Sequence, residues 1–85
     1  MSKRCIYILK GKRYYIGSTN NLERRLTEHK NKGYSVKRIG DWKCLGYIEC
    51  LNLLEARRLE KAIKKSCHPE RYIQQDIFIR YKENT

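Results

Sequence analysis

The chain has 85 residues and carries 20 Lys and Arg against 9 Asp and Glu, a formal net charge of +11. That length suits one small domain over residues 1–85 and leaves no room for a second. No apolar run reaches the ~18 residues needed to cross a bilayer, and no apolar leader follows Met1-Ser2-Lys3-Arg4, so a cytoplasmic protein without a membrane partner is expected.

Lys and Arg are spread through nearly every segment, which points to a polyanionic partner. A solubilising surface or a ribosome-type structural protein is the plainer reading of the same charge. The four cysteines, Cys5, Cys44, Cys50 and Cys67, lack the Cys-x-x-Cys spacing of zinc sites and read as free thiols in a reducing compartment. Cys67-His68 is a possible ligand pair.

Residues 3–9 and 13–18 are rich in Ile and Tyr, and Lys10-Gly11-Lys12 between them supplies a turn, so the two runs are expected to pair as an antiparallel hairpin. Strand alternation puts Tyr7 and Leu9 on one face with Cys5, and forces Tyr14 and Tyr15 to opposite faces. Strand tyrosines are ordinarily half-buried with their hydroxyls bonded. Gly17 either lets backbone approach a ligand or simply ends the strand.

Thr19, Asn20 or Asn21 can cap a helix that runs to about Lys32 and stops near Gly33. At about 100° per residue, Leu22, Arg25, Leu26 and His29 share one side of it. A guanidinium aimed at the protein body needs an anion to offset its desolvation, either a carboxylate or a bound phosphate. Residues 34–41 read as a polar, basic connection, in which a short helical turn at 35–39 is an expectation.

The run from Trp42 to Leu51 suits a strand covered on both faces that joins the hairpin. Asn52 precedes Glu55 by three, a capping-box-like pair, and the helix from Leu53 to about Ser66 ends before Pro69. Its apolar stripe is Leu53, Ala56, Leu59 and Ile63, and Glu60 falls inside that stripe. Such a carboxylate is a candidate metal ligand or a partner for Arg25, with Lys64 one turn on as a possible salt-bridge partner. The segment from Glu70 to Tyr81 is a final helix or an extended stretch.

Cys5-Ile6-Tyr7, Tyr15-Ile16-Gly17, Arg25 and His29 on the following helix, and Ala56-x-x-x-Glu60-x-x-Ile63-Lys64 together resemble the GIY-YIG endonuclease domain. The likeness is greatest to its small stand-alone bacterial members and runs from about Arg4 to about Lys65. Cys5 stands where the family name has its first glycine. The resemblance implies an α+β fold, a three-stranded antiparallel sheet flanked by helices, and a metal-dependent endonuclease that hydrolyses DNA phosphodiesters.

It also implies site residues: Tyr7, Tyr15, Arg25, His29 and Glu60 as catalytic groups, with Gly17 and Lys64 in support or contacting DNA. Glu60 is implied as the ligand of a single Mg²⁺, for which Mn²⁺ can substitute. One carboxylate suffices chemically, because Mg²⁺ keeps several waters and takes substrate phosphate oxygens. Tyr7 or Tyr15 takes the proton of the attacking water: resemblance to restriction enzymes of the family favours Tyr7 as base with Tyr15 orienting water or phosphate, and resemblance to its repair enzymes supports the reverse. Gln74 and Gln75 are the nearest counterparts of a further polar residue found in several members.

The partner expected is DNA, held through its phosphates, with weakly specific or structure-directed nicking in repair or recombination, and with targeting supplied by a separate protein. The alternative is a non-catalytic basic DNA- or RNA-binding module. The sequence leaves the oligomeric state open.

Overall fold

A computed structural model describes residues 4–31 and 40–81. The expected helical turn at 35–39 and the helix stop at Gly33 lie outside them. The hairpin forms as β1 (Arg4–Lys10) and β2 (Tyr14–Thr19), with Tyr7 opposite Gly17 and Leu9 opposite Tyr15. β3 (Lys43–Cys50) pairs antiparallel with the other edge of β1, and the register slips between Ile8 and Leu9.

Two helices cover the sheet. α1 (Leu22–Asn31) is capped by Asn21, whose side-chain oxygen accepts from the Arg24 amide at 3.1 Å, and Asn21 is itself held by Thr19. α2 (Leu53–Ser66) has the bounds the sequence indicates. Its Asn52 cap accepts from the Glu55 amide at 2.9 Å, and Cys67, in the left-handed conformation, ends it before Pro69.

The segment after Pro69 resolves into both alternatives: a short helix α3 (Glu70–Ile73) and a strand β4 (Phe78–Arg80). β4 pairs with β3, so the sheet has four strands, ordered β2-β1-β3-β4, where three were expected. A three-residue strand carries too little alternation to register as a sequence pattern.

Alternation along β1 divides the core in two. Ile6 and Ile8 pack with Ile16, Ile48, Ala56, Ile63 and Phe78 under α2, whereas Tyr7 and Leu9 pack with Leu26 and Cys44 under α1. Fully burying one such side chain contributes about 1.5–3 kcal/mol, so each layer holds its helix firmly. Tyr14 joins the α2 layer and Tyr15 the α1 layer, as strand geometry requires. β2 is an edge strand, and the groups expected to do chemistry gather around it.

Candidate active site

Tyr7 is buried at the centre of β1, and its hydroxyl lies 2.8 Å from Nε2 of His29 on α1. The hydrogen bond joins the sheet to the helix across 22 residues of sequence. Tyr15 completes the group, its ring centroid 6.3 Å from that of Tyr7 and 5.5 Å from that of His29, the latter edge-on. Helical phase put His29 on the inner side of α1, and it is half-buried there.

Gly17 explains how the Tyr7 ring reaches this position. A Cβ built on Gly17 would lie 2.5 Å from Cζ of Tyr7 and closer still to its hydroxyl. The phenol therefore crosses its register partner to reach the edge of the sheet. Neither reading offered by the sequence, ligand approach or strand end, describes this: Gly17 sits within β2 and makes room for a side chain.

Arg25 departs from its expected placement. It is exposed, and its guanidinium pairs with Glu28 at 3.2 Å instead of entering the core. The aliphatic stem lets a residue on the inner side of a helix carry its charge out to water, which is cheaper than burial. Even so, its charge acts on both Tyr7 and His29.

Glu60 comes from the opposite layer, on α2. It is half-buried, and its charge too is felt at the Tyr7 hydroxyl. Its partner is Lys64, at 2.8 Å one turn along, and not Arg25. Gln74 and Gln75 are exposed after α3, and among the described residues no hydrogen bond or ion pair ties them to this group. Cys5 is buried, and burial first, then Cys50 and Glu49, push its thiol up to about 11. It is an inert core residue.

The electrostatics set the protonation states. Burial, then the neighbouring Tyr15, raise the Tyr7 phenol well above the usual tyrosine range, while Arg25 offsets part of the effect. Burial, then Arg25, hold the His29 imidazole below its ordinary value against a smaller opposing pull from Glu28. Near neutrality, then, Tyr7 keeps its proton and the His29 imidazole is uncharged.

The family profile of the GIY-YIG catalytic domain matches residues 3–73. The chain belongs to the GIY-YIG family. The match passes Lys65, where the resemblance in sequence fades, and takes in α3. No curated protein and no solved structure matches the chain significantly. Membership makes a nuclease-type function general to the family, with DNA as its substrate.

One residue beside the GIY-YIG group escaped sequence reasoning. Trp42, just before β3, meets His29 edge-on with centroids 6.3 Å apart. Its position after the Gly40-Asp41 bend was the available signal. A recess of about 500 Å³ between Arg4, Asn21, Tyr47 and Tyr81 shares no residue with the Tyr7–His29 group.

A divalent cation can be tested against the donors. Among the described residues no three His, Cys, Asp or Glu converge. Glu60 is a single hard oxygen donor whose charge reaches the Tyr7 hydroxyl, with Lys64 as a displaceable neighbour. This suits Mg²⁺ or Mn²⁺ retaining most of its waters and excludes a closed zinc site among those residues. Among the described residues, Cys67 and His68 belong to no group of three or more potential metal ligands. Among the described residues no helix is long and apolar enough to cross a membrane.

Proposed function

We propose that this protein is a metal-dependent DNA endonuclease that nicks one strand by hydrolysis of a phosphodiester. The observation that carries the reading is the hydrogen bond between a protonated Tyr7 and a neutral His29 Nε2. A phenol whose pKa is raised is a poor base by itself. Joined to an acceptor, it becomes a relay.

As water attacks phosphorus in line, the Tyr7 oxygen accepts the water proton and gives its own to His29 Nε2. No free phenolate has to form. Tyr15, in ring contact with both partners, orients the water or the phosphate. Arg25 neutralises charge on the phosphate, exchanging its exposed pair with Glu28 for the substrate, which costs little because exposed pairs contribute at most about 1 kcal/mol. Glu60 would hold the divalent ion, which when bound supplies positive charge at the phosphate and at the leaving 3′ oxygen.

A basic DNA- or RNA-binding module would keep the charge but has no use for a buried phenol–imidazole pair beside a carboxylate. Incubating supercoiled plasmid with the protein in Mg²⁺, in Mn²⁺ and in chelator separates the two. Nicked circles only where a divalent ion is present support the nuclease. Retarded but intact DNA in all three supports the module.

A further inference from the structure

Trp42 lines more than the flank of His29. It is half-buried on the Tyr7–Leu9–Leu26–Cys44 layer, and with His29, Lys30, Gly40 and Asp41 it bounds a recess of about 270 Å³. Gly40 has a φ of +71°, which favours glycine, and the Lys12 side chain passes about 3.5 Å from where a Cβ would stand there. One aromatic residue, one carboxylate and one lysine thus line a space beside the imidazole, with the Lys12 side chain close by at Gly40.

The chemistry of this lining selects its occupant. An aliphatic group would make no use of the Asp41 carboxylate or the Lys30 ammonium. A phosphate inside would meet the Asp41 carboxylate. A nucleobase satisfies all of them, with a π face for the indole, N–H groups for Asp41, and flanking phosphates for Lys12 and Lys30 at the rim. A base within a duplex is paired and stacked and has to be flipped out at the cost of both, so the recess favours an unpaired one.

We infer that this recess receives an unpaired nucleobase adjoining the scissile phosphate, which makes the substrate DNA with an unpaired nucleotide at the cleavage position. The inference deepens the nuclease reading and rests on it for the scissile phosphate.

Trp42 is the only tryptophan in the chain, so its fluorescence reports the stacking without any cleavage. Wild-type protein in chelator at fixed salt is titrated with three DNA probes: a short single strand, an abasic strand of equal length, and a blunt hairpin duplex. Quenching by the single strand alone is expected, with affinity about 10-fold above that of the abasic strand, the ratio that stacking one base on an aromatic ring supports. A hairpin carrying one unpaired nucleotide should recover the quenching.

Equal quenching and affinity for the abasic strand would overturn the proposal, as would no quenching by any probe that binds. The two readings fail separately. Base-dependent quenching without cleavage of any substrate in metal would sink the nuclease and keep the recess, whereas cleavage of fully paired duplex without quenching would do the reverse.

Discussion

The hydroxyl of Tyr7 on β1 and the Nε2 of His29 on α1 are 2.8 Å apart, the contact that links the sheet to the helix at the candidate site. The phenol is buried in the α1 layer with Tyr15 as a further neighbour, and the imidazole is held below its ordinary pKa. On the proposed mechanism the two act together, and their variants are expected to fail together.

Tyr7→Phe keeps the ring in the core and removes the proton path. Nicking should slow by about 10²-fold or more, the scale of general acid–base contributions. Stability should fall by only about 1 kcal/mol, the cost of a part-buried His29 nitrogen losing its partner. Single-turnover nicking and thermal melting of the same preparation check both figures.

Gly17→Ala would place a methyl group against the Tyr7 hydroxyl and Cζ. The phenol has to move, at a cost of about 1–3 kcal/mol for overpacking. A displacement near 1 Å at the reacting group costs on the order of 10²-fold in rate. The double variant Gly17→Ala with Tyr7→Phe should be no slower than Tyr7→Phe alone, which rate measurements on the three variants decide.

The pH dependence follows from the sign of the His29 shift. Its pKa in the folded protein lies below the ordinary His value of about 6.5, so neutral imidazole contributes stability above that pH. That contribution is lost as pH falls through the lower folded value. Nicking should fall over the same acidic interval, as Nε2 protonates and stops accepting. Rates and melting temperatures from pH 5 to 8 are expected to decline together toward acid, and a His29→Gln variant should lose the acid dependence of melting.

Lys64→Met should release Glu60 from its ion pair at 2.8 Å. Pairs of this i,i+4 type contribute about 0.3–0.5 kcal/mol, so the metal concentration for half-maximal nicking should drop about twofold. Metal titrations of the two proteins read that difference directly.

Much of the architecture was legible because local rules and packing agree in this chain. The Lys10-Gly11-Lys12 turn sets the hairpin, alternation assigns Tyr14 and Tyr15 to opposite layers, and Asn52 and Pro69 bracket α2. β4 was not legible as a strand, since three residues gain their conformation from pairing with β3 and not from propensity. Arg25 was placed on the correct side of α1 but not at the correct depth, because phase fixes a Cα–Cβ direction and not where a long side chain ends. The steric role of Gly17 required the register Tyr7–Gly17, which no single strand reveals. Trp42 was hidden for a related reason: its contact with His29 comes from two elements meeting, not from spacing.

Glu60 carries the central claim, that a single carboxylate on α2 completes a metal-dependent nuclease whose phenol–imidazole half lies on β1 and α1. The direct measurement is the nicking rate of supercoiled plasmid by wild type and Glu60→Ala, in Mg²⁺ and in Mn²⁺, with both proteins shown to be folded by their melting curves. The account predicts nicking by wild type in the presence of either ion, and a loss of at least about 10²-fold in the variant, as expected when charge stabilisation at the transition state is removed. Equal behaviour of the two proteins in both metals would contradict it.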